Sequence, residues 1–326
     1  MTSSPQFGIE AMSYYLPPDS QTIVEWGRAT LQPPELIGHL AASGAERFHI
    51  AGEAVSVETM GCLAAEQLFR RHSIDPTAID LIIYTHTMAF SVSPPPRATA
   101  DIIRKHCGCT TAISMSISQQ KCSSLFGVIL LVKSLMETEK QLCNVLVITA
   151  DKIINEFTRN VQDGLIQSDG ASALVLKRNA ERNIITGINQ LSDPLYAAAI
   201  DRPANSKAPI VNKYVYYHSR TTRKAIQNTG MRLDELDLII PPNEWIQSLR
   251  HVLKLENLPL NKLFTDNIAR VGHVFCSDFI INFHDALEKS RFQSGNCLAF
   301  TNGDNGVFSA MTIAKMERTS CRKSGD

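Results

Sequence analysis

Two apolar segments that each occur twice constrain the fold of this 326-residue chain more than any other feature. Residues Ile79–Ile83 read IDLII and recur as LDLII at Leu236–Ile240, while NVLVIT at Asn144–Thr149 recurs as NCLAFT at Asn296–Thr301. Continuous apolar runs bounded by polar residues are typical of buried strands. Because predicted helices alternate with these strands, the sequence predicts an α/β protein with mainly parallel pairing in the core of its sheet.

The repeat also predicts how the chain is divided. Residues 1–182 form the first half, and residues 231–326 form the second half. Residues 183–230 show no counterpart in the first half, so we expect this segment to connect the two.

A cysteine lies where the first half passes from a predicted strand into a predicted helix. Before Cys122, apolar Ile113, Met115 and Ile117 alternate with serines, which is the period of a strand with one face packed. From Ser123 onward nearly every residue is apolar, as in a helix buried on most sides. Unpaired N–H groups and the helix dipole favour a thiolate at such a junction. The alternative is a packed structural thiol, since cysteine is often buried.

Spacing along the chain makes His273 the counterpart of Cys122 in the second half. Cys122 lies 22 residues before Asn144, and His273 lies 23 residues before Asn296. If a pseudo-twofold axis relates the halves, both side chains reach one central site, where the histidine takes the thiol proton. The thiolate then attacks an acyl thioester, and backbone N–H groups stabilise the oxyanion. A histidine with an ordinary structural hydrogen bond is the competing interpretation.

The side chain of Asn243 follows a predicted strand of the second half. Ligands of doubly wound sheets usually bind at the carboxyl ends of strands. An amide at that place is able to donate to a thioester carbonyl or to hold a water that does so. Equally, Asn243 suits a turn after Pro241 and Pro242.

Composition excludes several classes of partner. The chain has 32 basic and 32 acidic side chains, so no net field attracts nucleic acid or an anionic membrane. No apolar run approaches the roughly 18 residues of a membrane span. Eight scattered cysteines without disulfide spacing indicate a reducing compartment, and the cytoplasm is the expected location. Cys107 and Cys109 lack a second pair, so we expect no metal.

Seven segments follow the order of a known family. They are GAERFHIA, DLIIYTHT, SMSISQQKCSSLFG, QSDGASALVL, DLIIPPNEW, RVGHVFCSD and FTNGDNGVFSA. Together they resemble the 3-oxoacyl-ACP synthase III enzymes over nearly the whole chain. The resemblance implies a duplicated, thiolase-type αβαβα layered sandwich, usually a homodimer. It also implies that Cys122 accepts the acyl group and that the N–H of Gly303 completes an oxyanion hole with that of Cys122.

Two departures from the family pattern change the expected chemistry. Pro242 stands where the family has the histidine of PHQAN, and His273 stands where it has the asparagine of GNTSAA. This arrangement is similar to that of thiolases, whose NEAF asparagine matches Asn243 and whose GHP histidine matches His273. The resemblance implies that His273 is the base and that Asn243 binds a second oxyanion. The resemblance leaves open which residues would promote decarboxylation of a malonyl unit.

The resulting expectation is an acyltransferase of the ketosynthase III type in specialised metabolism, acting through an acyl-Cys122 intermediate. The family's nucleotide-binding side chains are replaced by Gly38, Ala42 and Glu46, which favours an acyl carrier protein over coenzyme A as donor. No cofactor is expected beyond the phosphopantetheine or coenzyme A of the thioester substrate. The alternatives are a decarboxylative 3-oxoacyl-ACP synthase and a non-catalytic subunit that pairs with an active homologue in a heterodimer.

Overall fold

The computed structural model describes residues 6–160, 165–196, 208–227, 229–244, 246–303 and 305–315. The strands of its large sheet are β1 (Phe7–Tyr15), β4 (Leu81–Thr85), β5 (Ile113–Ser116), β6 (Asn144–Asp151), β7 (Gly170–Arg178), β8 (Ile184–Ser192), β9 (Leu236–Ile240), β10 (Gly295–Gly303) and β11 (Val307–Lys315). Two short strands, β2 (Ser20–Thr22) and β3 (Arg47–His49), pair with each other.

The helices of the described residues pack against this sheet. They are α1 (Ile23–Ala29), α2 (Pro34–Ala42), α3 (Val57–His72), α4 (Thr99–His106), α5 (Ser124–Thr138), α6 (Ala208–Gln227), α7 (Ile246–Leu255), α8 (Ile268–Val271) and α9 (Asp278–Glu288). Helix α3 buries Met60, Ala64 and Leu68 on one face, and Ser56 caps its first turn by accepting from the N–H of Thr59.

The sheet is duplicated, as the repeat predicts. Its order is β5-β4-β6-β7-β1-β8-β11-β10-β9. In the first half β6 pairs in parallel with β4 and antiparallel with β7, and in the second half β10 pairs in parallel with β9 and antiparallel with β11. The halves join where β1 meets β8, so an approximate twofold axis passes between these two strands.

This topology corrects two predictions. Pairing in the core is not mainly parallel, because β7, β1, β8 and β11 form an antiparallel centre and parallel pairs lie only toward the edges. The segment 183–230 also has a counterpart after all. Strand β8 pairs with β11 as β1 pairs with β7, and α6 packs on β8 and β11 as α3 packs on β1 and β7. The repeat was hidden there because neither element keeps the apolar sequence of its partner.

Among the described residues, α5 and α9 lie inside the molecule, whereas α3 with α4 and α6 with α7 lie on its outer faces. Buried side chains of α5 and α9 form one core with strands of both halves, and Phe126 of α5 meets Phe279 of α9 edge to face at 5.3 Å. Helices α3 and α4 cover the first half on its outer face, and α6 and α7 cover the second. The chain therefore has the predicted αβαβα layers.

Strand β5 differs from its prediction. Ile113 is 68% exposed and Met115 is 38% exposed, although their alternation predicts a packed face. The reason is position, because β5 is the last strand of the sheet and no described element covers that face. Among the described residues, no helix is long and apolar enough to cross a membrane.

Candidate active site

Two turns of equal geometry lead into the two central helices. A 3₁₀ turn at Lys121–Ser123 precedes α5, and another at Phe275–Ser277 precedes α9. Lys121 and Phe275 both have a φ of 53°, the left-handed conformation that side chains rarely adopt. Each is followed by a cysteine, Cys122 or Cys276. These turns place both cysteines at the centre of the molecule.

The residue that matches Cys122 is therefore Cys276, and the prediction that His273 matches it is wrong. The spacing was misleading because the central helices differ in length, with 15 residues in α5 and 11 in α9. His273 nevertheless reaches the predicted partner. Its Nε2 lies 3.3 Å from Sγ of Cys122, across a sequence separation of 151 residues.

A carboxylate completes this pair. Oδ2 of Asp278 lies 2.5 Å from Nδ1 of His273, so the ring is held between the sulfur and the carboxylate. Asp278 is itself fixed by two backbone donors, since the N–H of Val274 lies 2.6 Å from Oδ1 and the N–H of Asn243 lies 2.7 Å from Oδ2. A nucleophile, a base and an orienting acid in one hydrogen-bonded row are the parts of a catalytic triad.

Burial and charge act in opposite directions on His273. Its side chain is buried, which lowers its pKa, but the charge of Asp278 and the sulfur of Cys122 outweigh that effect. The pKa of His273 therefore lies well above its ordinary value, and the ring readily accepts and holds the proton of a thiol. Sequence reasoning missed Asp278. The available signal was an acidic residue at the start of a buried helix, shortly after the candidate base.

The amide of Asn243 is held by hydrogen bonds within the site. Its Nδ2 donates to the carbonyl of Gly272 at 2.9 Å and lies 3.4 Å from Oδ1 of Asp278. Its Oδ1 accepts from Nδ2 of Asn282 at 2.9 Å. Both ends of the amide are therefore engaged on the side of His273 that faces Asp278, where Asn243 supports the row of His273 and Asp278, and its binding of an oxyanion stays a prediction.

Gly303 lies against the turn that carries Cys122. A Cβ built on Gly303 would lie 2.9 Å from the carbonyl of Gln120 and 2.8 Å from Cβ of Lys121. The hydroxyl of the nearby Thr301 donates to the carbonyl of Cys122 at 3.1 Å. The structure therefore brings Gly303 close to Cys122, and glycine is required there because β10 approaches the turn so closely.

A third side chain links the two cysteines. Oγ1 of Thr87 lies 3.6 Å from Sγ of Cys122 and 3.1 Å from Sγ of Cys276. The loop that carries Thr87 is anchored by Asp151, whose Oδ1 accepts from the N–H groups of Thr87 at 2.9 Å and Met88 at 2.8 Å. Burial raises the pKa of Asp151 to about 7.

The described part of the chain contains neither a disulfide nor a cluster of metal ligands. The cysteines at positions 62, 107, 109, 122, 143, 276 and 297 form no disulfide. No group of three or more His, Cys, Asp or Glu side chains there is arranged to hold a metal ion.

A duplicated sheet with two central helices, one beginning just after Cys122 and the other shortly after His273, is the thiolase-type fold, and solved structures agree. The 3-oxoacyl-[acyl-carrier-protein] synthase III of Aquifex aeolicus superposes with a TM-score of 0.81 at 19% identity, covering 94% of this chain and 99% of that chain. ChlB3, named as an acyltransferase, superposes with a TM-score of 0.83 at 17% identity, covering 96% and 98%.

The sequence comparisons lead to the same family. Residues 226–315 match the family model of the C-terminal part of 3-oxoacyl-[acyl-carrier-protein (ACP)] synthase III. The beta-ketoacyl-[acyl-carrier-protein] synthase III of Aquifex aeolicus is 22% identical over 273 residues, which cover 81% of this chain and 85% of that protein. The one of Aliivibrio fischeri is 25% identical over 276 residues, covering 79% and 84%. The resemblance to 3-oxoacyl-ACP synthase III, a class of acyltransferases, is thereby confirmed.

Proposed function

We propose that this chain is an acyltransferase of the ketosynthase III type that moves an acyl group from a thioester through Cys122 to an oxygen or nitrogen nucleophile. The observation that carries the proposal is the row formed by Cys122, His273 and Asp278, with contacts of 3.3 Å and 2.5 Å. Two named structures with this fold support it. ChlB3 is named as an acyltransferase, and an OleA of Xanthomonas campestris was solved with bound lauric acid and lauroyl-CoA, at a TM-score of 0.80 and 14% identity.

The first half of the reaction loads the enzyme. His273 takes the proton of Cys122, and the thiolate attacks the thioester carbonyl. The N–H groups of Cys122 and Gly303 are the proposed donors to the oxyanion, since Gly303 packs against the turn before Cys122. Collapse of the tetrahedral intermediate breaks the bond to the donor sulfur, which leaves as a thiol with the proton from His273.

The second half transfers the acyl group. A hydroxyl or amine approaches acyl-Cys122 and gives its proton to Nε2 of His273, while Asp278 holds the other ring nitrogen. The new C–O or C–N bond forms as the C–S bond breaks, and the proton passes to the departing sulfur of Cys122. One base therefore serves both halves.

The decarboxylative alternative has less support in the geometry. The family assigns malonyl decarboxylation jointly to a histidine and an asparagine amide. Here the amide of Asn243 is occupied by Gly272, Asp278 and Asn282, and it lies behind His273. Release of carbon dioxide from a malonyl thioester on incubation with the enzyme would favour condensation over the transfer we propose.

A basic groove supports an acyl carrier protein as donor. The groove lies between α6 and α7, has a volume of about 970 Å³, and is lined by Val215, Tyr216, Ser219, Arg220, Arg223, Lys224, His251, Lys254 and Leu255. Arg223 pairs with the buried Glu256 at 2.8 Å, but no acidic side chain is among the lining residues, so the other cations of the groove suit an acidic protein surface. Specialised metabolism in the cytoplasm remains part of the proposal, and the unpaired cysteines suit that reducing compartment.

The uncovered edge of the sheet supports a dimer. The outer edge of β5 is unpaired among the described residues, and Ile113 and Met115 expose apolar surface beside it. Such an edge is a template for pairing with another chain. A second copy is the proposed partner, and a homologue in a heterodimer is the alternative. Light scattering on the purified protein distinguishes a homodimer from a monomer that awaits another subunit.

Mass spectrometry tests the proposed function directly. The purified protein is incubated with acetyl, butyryl, octanoyl and dodecanoyl thioesters of a bacterial acyl carrier protein, then digested and mapped. We expect an acyl adduct on Cys122, none in Cys122→Ala, and an undiminished adduct in Cys276→Ala. If no donor leaves an adduct on Cys122, the acyltransferase proposal is wrong and the interpretation as a non-catalytic subunit is favoured.

A further inference from the structure

A threonine hydroxyl lies between the two equivalent cysteines. Oγ1 of Thr87 lies 3.6 Å from Sγ of Cys122 and 3.1 Å from Sγ of Cys276. A hydroxyl carries a single proton, so one sulfur at a time accepts it. What Thr87 does therefore depends on which of the two sulfurs is the better acceptor at each stage of the reaction.

The contact with Cys122 requires Thr87 to be the donor. Nε2 of His273 lies 3.3 Å from Sγ of Cys122, so the thiol proton has an acceptor in the ring. Once the ring holds that proton, the sulfur is an anion and only accepts. In both states the hydrogen bond between Thr87 and Cys122 forms only if the hydroxyl donates.

The second sulfur is a weaker acceptor than the thiolate of Cys122. Sγ of Cys276 donates to the carbonyl of Lys121 at 3.3 Å, so its own proton is engaged. Burial, together with the charge of Asp151, raises the pKa of the Cys276 thiol well above its ordinary value. Cys276 therefore stays neutral, and hydrogen bonds to a neutral group are weaker than those to an ionised one.

The backbone of Thr87 is fixed independently of its hydroxyl. The N–H of Thr87 donates to the carboxylate of the buried Asp151, at 2.9 Å from Oδ1 and 3.1 Å from Oδ2, and the N–H of Met88 donates to Oδ1 at 2.8 Å. A donor that is held in place before charge develops needs no reorganisation when the charge forms. Because these bonds use only backbone N–H groups, a change of the Thr87 side chain leaves them in place.

We propose that Thr87 is a catalytic residue whose hydroxyl donates to the sulfur of Cys122 whenever that sulfur carries negative charge. The inference rests on the proposed function and adds a group to its machinery. During loading, the hydroxyl and the imidazolium of His273 both donate to the thiolate. In the acyl-enzyme the sulfur is neutral, and the hydroxyl turns to Cys276. As the C–S bond breaks, the hydroxyl turns back and stabilises the departing thiolate until His273 returns the proton.

Substitutions at Thr87 test this role in both halves of the reaction. Thr87→Val replaces the hydroxyl by a methyl group, Thr87→Ala removes it, and Thr87→Ser retains it. Rapid-quench mass spectrometry measures loading from octanoyl carrier protein and discharge of octanoyl-Cys122 to hydroxylamine. We expect Thr87→Val and Thr87→Ala to slow both steps roughly ten- to a hundredfold, as for the loss of a hydrogen bond to a charged group, and Thr87→Ser to stay within about threefold of wild type.

Thr186→Val is the matched control. It removes a hydroxyl that lies 2.9 Å from that of Thr312, between β8 and β11, and we expect wild-type loading and discharge. Thermal unfolding verifies that each variant folds. Should Thr87→Val not fold, Thr87→Ala provides the same comparison with Thr87→Ser.

The possible failures are distinguishable. Wild-type rates in a folded variant that lacks the hydroxyl overturn the role of Thr87 and leave the acyltransferase intact. The role is also overturned if Thr87→Ser is as slow as Thr87→Val, because the loss then comes from the packing of the methyl group. Absence of loading in the wild-type protein overturns both proposals.

Discussion

Asp278 holds His273 from the side opposite Cys122, and two backbone N–H groups hold Asp278 in turn. The ring is thereby fixed in one orientation with Nε2 toward the sulfur. The first prediction follows from this contact. Asp278→Asn should slow the loading of Cys122 at least about a hundredfold, because an amide favours the wrong ring tautomer and does not stabilise the imidazolium.

Rapid-quench mass spectrometry measures that loading rate. Asp266→Asn is the control, since Asp266 is exposed and pairs only with surface cations in the described structure. Thermal unfolding verifies that Asp278→Asn still folds. Wild-type loading by a folded Asp278→Asn protein would contradict the triad.

The hydrogen bond between Asn243 and Asn282 predicts that Asn243 supports the triad and does not bind an oxyanion. We expect Asn243→Ala and Asn282→Ala to slow loading to a similar extent, and the double variant to be little worse than either one, because both changes break the same contact. An oxyanion role predicts a large effect for Asn243→Ala, none for Asn282→Ala, and simple additivity. A double-mutant cycle on the loading rate separates the two outcomes.

Gly303 has no room for a side chain. Gly303→Ala would place a Cβ 2.9 Å from the carbonyl of Gln120 and should lower the free energy of unfolding by about 1–3 kcal/mol. Loading of Cys122 should fall as well, since the displaced turn carries the nucleophile. Gly52→Ala is the control, because its Cβ would meet no atom within 4 Å. Denaturant titration and the loading assay measure both effects, and equal behaviour of the two variants would refute the close packing.

His218 makes stability depend on pH in a defined direction. Its pKa in the folded protein is about 4, against 6.5 for an ordinary histidine. As pH falls from 6.5 toward 4, the unfolded chain binds a proton that the folded chain does not, so the free energy of unfolding decreases by up to roughly 3 kcal/mol. His218→Gln lacks this contribution.

Denaturant titrations of wild type and His218→Gln between pH 4 and 7 give the difference curve, in which other titrating groups cancel. A difference independent of pH would show that His218 titrates normally. An NMR titration of the wild-type imidazole signals provides the same answer without a variant.

The basic groove predicts a selective effect on the donor. Replacing Arg220 and Lys254 by glutamate should raise KM for an acyl carrier protein at least about tenfold at low salt and leave transfer from a free pantetheine thioester unchanged. Lys105→Glu, on α4 and 70% exposed, is the control. Equal effects on both donors would place the defect in the catalytic centre instead of a docking surface.

The sequence was sufficient for those features that local patterns specify. Strand β6 and the duplication follow from the repeated apolar runs. The meeting of Cys122 with His273 followed from the duplication even though the residue match was wrong. The antiparallel centre was not predictable, because a buried strand has the same apolar run in either direction.

Other features depend on contacts that sequence spacing does not encode. Whether Ile113 is buried depends on which strand ends the sheet. The engagement of Asn243 depends on Gly272 and Asn282, which its own neighbours do not reveal. Asp278 was overlooked because an acidic residue at a helix start ordinarily suits the helix dipole and needs no other role.

The equivalence of Cys122 and Cys276 gives the molecule an internal reference. Both thiols follow a residue with a φ of 53° and both touch Thr87, but Cys276 is buried whereas Cys122 is partly exposed beside His273. Alkylation by iodoacetamide therefore compares two sulfurs on nearly identical backbones within a single sample. The ratio of their rates measures what solvent access and an adjacent imidazole add to a cysteine, without reference to any other protein.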